Sequence, residues 1–489
     1  MPLEQIYHIH PHGWETDPSE ERYKVTTLDY LSVQAYNNFA LFFRLEDTAK
    51  TQAIEILKVG LQRTLSQVRH ICGTIEPDPS GGHSFVKRRE STVKFVVQWL
   101  EDETYPSLDD IENAHFTAVS LGDLNLWSVP PMTYGEKPEA SPDMSPPVAA
   151  YKANFVRGGL VFIMHHLHYS NDIMGWAGLT HQLAENCFAL FNGTNFPAWD
   201  VRNLDRGRIT KPEPPEENKV DGPPAPLRHP DQLPGQCLLF HLPKSKAAKL
   251  KALATPEDGT WISTYDALCA FIWRHLTRVR APVFNPDPSS PLFWAEAVDM
   301  RRRFKNPTVP PRIQGNVAYA AVNLTAGIPN PTVSEIISEW PLWKLASYIR
   351  SLTNGVTQEA LDATLSMVAM VRDKPALNFR IDSQSPMSIA MTDHRDANIT
   401  AADFGFGRPI TYRHLLDCVT NGVIVIYPPR ATGGKGDEGG DGNGDEGCEL
   451  SIFYERDLAK TLIEDEEFGE FFEFRGVDAE DAASLPKLD

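Results

Sequence analysis

The run Leu160-Val-Phe-Ile-Met-His-His-Leu-His-Tyr-Ser-Asn-Asp-Ile-Met-Gly-Trp176 changes character at its middle. It opens as a continuous apolar stretch, as in a buried strand, and closes as an amphipathic one, as in a helix. The pattern predicts a strand over 159–167 and a helix over 172–191. His168 and Asp172 fall at the junction, four residues apart. A histidine at the end of a buried strand, with a carboxylate to hold it, is one way a fold presents a general base to a substrate.

Alternate side chains of a strand share a face, so His166 and His168 point the same way. Three readings of the segment compete. His165, His166 and His168 as metal ligands would need a further clear ligand, and their spacing is that of a strand. A histidine satisfied in the core is the plain reading. His168 as general base is the sharp one. Asp172 sits where strand gives way to helix and can cap that helix or turn back on the loop.

Upstream, residues 27–45 hold a short apolar helix pattern and then the strand-like Phe39-Ala-Leu-Phe-Phe43. Residues 49–70 are helical, with Ile54, Leu57, Leu61, Leu65 and Val68 at three- and four-residue steps and Gly73 as the stop. Residues 92–100 alternate like a strand, and the proline-rich 119–150 look like a long loop. Between 209 and 235 the chain turns proline-rich and charged, the composition of an extended linker. The expected organisation is a first domain over 1–208, a crossover over 209–235 and a second domain over 236–489.

The second half repeats the mixture. Strands are expected at 237–242, 292–298, 316–324, 423–427 and 450–454, and helices at 263–279, 332–354 and 357–371. The glycine- and acid-rich 431–447 cannot bury apolar surface and is expected to be a disordered hairpin extension. Asp457 to Phe474 is expected to be an acidic helix. No Gly-x-Gly-x-x-Gly turn or phosphate loop accompanies the interleaved strands and helices, which favours two mixed-sheet α/β domains.

Composition narrows the function. With 489 residues the chain is too long for one core, and its 42% apolar content is that of a folded globular protein. A formal net charge of -19 argues against nucleic acid or an anionic membrane as partner. The six cysteines are scattered singly, without metal-ligand spacing, as in a reduced cytoplasmic protein. The N-terminus lacks a signal-peptide pattern, and no apolar run approaches the ~20 residues of a membrane span.

His-x-x-x-Asp after a buried strand, with Asp403-Phe-Gly-Phe-Gly407 far downstream, resembles the BAHD family of plant and fungal CoA-dependent acyltransferases. Further segments match in order. They are Leu28-Asp29, Leu57-Lys-Val-Gly-Leu61, Ser263-Thr-Tyr-Asp-Ala-Leu268 with Trp273, Val298-Asp-Met-Arg301, and Gly315-Asn316. Thr392 stands eleven residues before Asp403, the spacing of a threonine that the family places near the reacting carbonyl. The proline-rich segments suit the fungal branch, such as the trichothecene acetyltransferases. Two positions depart from the family pattern: Ile173 replaces the usual glycine after the aspartate, and His394 replaces a frequent tryptophan.

The resemblance implies two chloramphenicol-acetyltransferase-like domains joined by a long crossover, with a channel between them. It implies acyl transfer from acyl-CoA, a co-substrate rather than a bound cofactor, to the hydroxyl or amine of a small metabolite, with no metal. The implied catalytic set is His168 as base, Thr392 as oxyanion donor, and Asp172 in a structural role. Asp403, Gly405 and Gly407 form a structural motif away from the reacting centre, and Asp403 is expected to pair with Arg301. Arg302, Arg303 and Lys305 form the densest basic cluster, and with Ser263 and Thr264 at a helix start they are the expected contacts to CoA. A monomer is expected. The rivals are a condensation-domain-like enzyme, for which His165-His166 would need an aspartate where Ser170 stands, and a relative that binds or cyclises a metabolite without transfer.

Overall fold

Strand Gly159–Leu167 is buried at every position and lies near the centre of the first of two large mixed sheets. A computed structural model describes residues 2–431 and 445–480. The first sheet runs in the order Leu3–Ile9, Val93–Leu100, Ala149–Val156, Gly159–Leu167, Ala35–Arg44, Thr411–His414. The short strand Gly135–Glu136 also pairs with Ala35–Arg44. Only the pairing of Val93–Leu100 with Ala149–Val156 is parallel.

Helices Lys50–Gln67 and Ile173–Asn192 pack on each other and share a core with one face of this sheet. Leu57, Leu61 and Leu65 meet Leu183 and Cys187 there, together with Phe39, Leu41 and Phe43 from the sheet. Gly60 lets the helices approach, because a Cβ at that position would run into the Cys187 sulfur. The opposite face, with Ala40, Phe42, Val161 and Ile163, is covered by Phe116 and Trp127 of the 108–127 region.

The second sheet runs Ala318–Ala321, Trp294–Asp299, Ile389–Asp393, Val423–Tyr427, Cys448–Glu455, Gly235–Leu242, Glu473–Glu480. Helices Thr264–Phe284 and Leu342–Gly355 cover it, with Leu268, Ile272, Leu276 and Ile349 buried in one core. A small sheet of Glu20–Lys24, His83–Arg88 and Thr74–Pro77 completes the sheets among the described residues.

Several expectations are corrected. The helix pattern of 332–354 is interrupted at Pro341, so a short turn of helix over Glu335–Glu339 precedes Leu342–Gly355. The acidic tail is not one helix: Arg456–Ile463 and Glu466–Gly469 are separate, and Glu473–Glu480 forms an edge strand. Charged residues on an edge face water, which hides the strand from an apolar pattern. Residues 27–45 hold only a single turn, Asp29–Leu31, before the strand. The loop at 119–150 contains the short helix Leu124–Trp127 and ends in strand Ala149–Val156.

Residues 209–235 carry only short turns and one bridge, Val220 to Val371. Most of the expected extension at 431–447 lies outside the described residues. The second half also gives strand Thr411–His414 to the first sheet, where it pairs antiparallel with Phe39–Phe42. Arg413 on that strand is bound by Glu449 of the second sheet, and the same carboxylate also takes Arg430 and Arg475. Among the described residues, no helix is long and apolar enough to cross a membrane.

Candidate active site

The strand ends at Leu167, and His168 opens a single turn before Asp172 caps helix Ile173–Asn192. The Asp172 carboxylate accepts from the Gly175 amide at 2.7 Å, a conventional N-cap. Ile173, at the position where the resembling family has glycine, is the first helical residue and packs on the core, so the turn tolerates it. The three neighbouring histidines are treated differently by the fold.

His165 is buried among partners. Its Nδ1 meets Asn38 Oδ1 at 2.9 Å and the Met132 carbonyl at 3.0 Å, and its Nε2 accepts from the Val129 amide at 3.2 Å. It is the satisfied core histidine, and burial lowers its pKa to about 3. His166 is buried beside Asn37 and stacks on Phe39. His168 alone is half-buried, and its Nδ1 has no protein partner. Burial lowers its pKa below 6.5, opposed by its own carbonyl, Asp172 and Asn316. The ring is therefore neutral at neutral pH, the form a base needs. Among the described residues, no group of three or more potential ligands could hold a metal ion.

Asp172 does not hold the imidazole by a hydrogen bond. Its two oxygens receive Arg301 at 2.9 and 3.0 Å, the Gly175 amide and, at 2.7 Å, the Val317 amide. With four donors engaged, the carboxylate is a fixed anion that acts on His168 only through its field. Arg301 comes from the second half, so this pair ties the two halves together at the end of the turn that His168 opens. Gln314, Gly315 and Asn316 extend the tie: Asn171 Oδ1 accepts from the Gly315 amide at 2.7 Å, and Asn316 Nδ2 donates to the His168 carbonyl at 2.9 Å. Asn316 is itself fixed by Asp29, which also pairs with Arg206. The sequence shows Asp29 and Asn316 as landmarks but gives no sign of this contact, which spans most of the chain.

The expected Asp403–Arg301 pair is therefore corrected. Arg301 binds Asp172 and Asp299, while Asp403 binds Arg408 at 3.2 Å and accepts from the Gly405 amide at 2.9 Å. The Asp403–Gly407 turn sits against the C-terminal end of helix Ile173–Asn192. Phe404 and Phe406 pack on Phe43, and Gly405 adopts φ +83 where a Cβ would strike Phe191. A carboxylate far from an arginine in sequence can pair with it or not, and only the fold decides.

Thr392 is half-buried on strand Ile389–Asp393, opposite Val425. His394, two residues on, is buried near His168 and lies parallel to Tyr412. The structure thus brings His394 near His168, with Thr392 two residues earlier on strand Ile389–Asp393. Ser263 caps helix Thr264–Phe284 in a capping box with Asp266, and its hydroxyl also accepts from Arg350 at 2.8 Å. Thr264 is the first residue of that helix. Arg303 donates to the carbonyls of Thr353 and Val356, at 2.9 and 2.6 Å, at the end of helix Leu342–Gly355. Arg302 and Lys305 stand exposed.

The turn that carries His168 is held by residues from both halves of the chain, and comparison with known proteins gives the chain a class. Residues 15–439 match the family described as "Transferase: Transferase family", and the chain belongs to this family, the BAHD acyltransferases. It is an acyl-transferring enzyme. It is 65% identical over 482 residues to Acetyltransferase FGR3 of Gibberella zeae, covering 98% of this chain and 95% of the relative. It is 26% identical to Trichothecene 3-O-acetyltransferase TRI101 of Fusarium sporotrichioides, over 76% of this chain and 81% of the relative. In fold it is similar to F. graminearum TRI101 complexed with coenzyme A and deoxynivalenol, with a TM-score of 0.76 at 20% identity, covering 93% of this chain and all of that one. It is also similar to vinorine synthase, with a TM-score of 0.66 at 18% identity, over 97% and 98% of the two chains.

Proposed function

We propose that the protein transfers an acyl group, acetyl or larger, from coenzyme A directly to a hydroxyl of a small specialised metabolite, with His168 as general base. The observation that carries this reading is the state of His168: half-buried, neutral, its Nδ1 unpartnered, and anchored from behind at the meeting of the two halves. A thioester is already activated, so no acyl-enzyme is needed. His168 takes the proton of the acceptor hydroxyl as its oxygen attacks the thioester carbonyl. The Thr392 hydroxyl donates to the resulting oxyanion. Collapse breaks the carbon–sulfur bond, and the imidazolium returns the proton to the departing thiolate. Asp172, neutralised by Arg301, keeps the backbone of the turn in register.

For the CoA phosphates, Arg302 and Lys305 remain available, whereas Ser263 and Arg303 are committed to helix ends. The enzyme works as a monomer in the cytoplasm on this reading; its cysteines form no disulfide among the described residues, as a reducing compartment would keep them. Incubation with acetyl-CoA and an alcohol panel, followed by thiol release and intact-protein mass, tests the proposal. Acceptor-dependent release with an unmodified protein mass is expected. An acetylated protein, or no acceptor-dependent release, would overturn it.

A further inference from the structure

The side chains around His168 carry more polar atoms than the transfer step uses. Trp176 Nε1, His394 Nδ1, Tyr412 Oη and His166 Nδ1 are all buried without a protein partner, and so is His168 Nδ1. They are neighbours. Trp176 lies 5.5 Å from Tyr412, ring centre to ring centre, and Phe39 packs 4.1 Å from Trp176 and 5.3 Å from His166. His394 lies 6.4 Å from Tyr412, and 5.5 Å from His414, whose Nδ1 is taken by the Tyr427 hydroxyl at 2.6 Å. Buried polar atoms in folded proteins are nearly always satisfied, and each orphan weakens the fold. Several orphans in one patch beside the catalytic base point to a partner that arrives from outside.

The charges of the patch are closed. The carboxylates that bear on the rings of His168 and His394 are Asp29, Asp172 and Asp393. Each is paired with an arginine: Arg206, Arg301 and Arg395 respectively. A protonated amine would find no free carboxylate here, and an acid no free cation. Burial also holds the His166 and His394 rings neutral, with pKa values lowered to about 3 and about 4. Neutral imidazole, phenol and indole groups are suited to uncharged oxygens.

We infer that Trp176, His394 and Tyr412 form the acceptor subsite, and that it takes an uncharged alcohol bearing at least one further oxygen besides the reacting hydroxyl. This rests on the transferase reading above. His394 and Tyr412 are then positioning residues: they bind the second oxygen and so bring the reacting hydroxyl to His168.

The test compares wild type, Tyr412→Phe, His394→Phe and His394→Asn, with acetyl-CoA and three probes: cyclohexanol, cyclohexane-1,3-diol and cyclohexylamine. Wild type is expected to favour the diol over cyclohexanol in kcat/KM by about tenfold, the value of one good hydrogen bond, and to leave the protonated amine unacylated. That ratio falls towards one in Tyr412→Phe and His394→Phe, mainly through KM, and is restored by His394→Asn, which keeps a donor. Equal use of diol and cyclohexanol by wild type, or ready acylation of the amine, overturns the inference. Melting of the unliganded proteins decides independently of turnover. Tyr412→Phe should melt at or above the wild-type temperature, because it removes an orphan hydroxyl, whereas a fall of several degrees would show a structural role and overturn the inference. Absence of thiol release from wild type with every probe counts against the transferase reading, and the melting comparison still decides the subsite.

Discussion

Asp172 and Arg301 form a two-pronged buried ion pair that joins the two halves of the chain at the end of the His168 turn. The His168–Asp172 motif is therefore also an anchor, and its aspartate serves the fold.

Breaking that pair leaves a buried charge without its partner. Arg301→Ala or Asp172→Asn should lose about 3–5 kcal/mol of stability, measured by urea unfolding at pH 7. Arg301 and the amides of Gly175 and Val317 hold the Asp172 pKa below 3.8, against the burial that raises it. A depressed carboxylate stabilises fully above its unfolded value near ~3.9 and loses that contribution as pH falls through the folded value. The deficit of Asp172→Asn should therefore be complete at neutral pH and shrink on acidification below that value. A deficit independent of pH would contradict the pairing.

Asp403 should behave differently despite its place in a conspicuous motif. Its pair with Arg408 is largely exposed, so Asp403→Ala should cost about 1 kcal/mol and leave acyl transfer intact. Gly405→Ala should cost more, at least about 2 kcal/mol, because it meets both a left-handed backbone and the Phe191 side chain. Thermal unfolding of the two variants side by side checks the contrast.

Glu449 binds three arginines, of which Arg413 lies on the strand lent to the first sheet. Glu449→Gln would leave those guanidinium groups facing one another, and about 3–5 kcal/mol of destabilisation is expected by denaturant unfolding. Loss of less than about 1 kcal/mol would show that the strand is held by its backbone and apolar contacts alone.

The parts of this molecule legible in the sequence are those with local periodicity. Leu57, Leu61 and Leu65 mark a helix, and the apolar run ending at Leu167 marks a central strand; both form where expected. Strand Thr411–His414 is not legible, because its four residues gain their partner only when Phe39–Phe42 is already in place. The same limit explains the exchange of partners at Arg301. Sequence shows which charges exist, but pairing is set by which carboxylate the fold buries beside them. His394 is legible only as a departure from the family pattern, and its orphan nitrogen emerges once Tyr412 and His168 are brought near it.

The pH dependence of turnover reports on the base. Burial lowers the His168 pKa, so kcat/KM should rise with pH along a limb centred below 6.5 and then level off. A limb above 6.5 would contradict a desolvated imidazole as the essential base.

The most direct test is the rate of acceptor-dependent CoA thiol release by His168→Ala against wild type, with both proteins shown to melt alike. A fall of about 10²–10⁴-fold in kcat/KM and loss of the acidic limb are expected. Transfer at the wild-type rate without that imidazole would contradict His168 as the base.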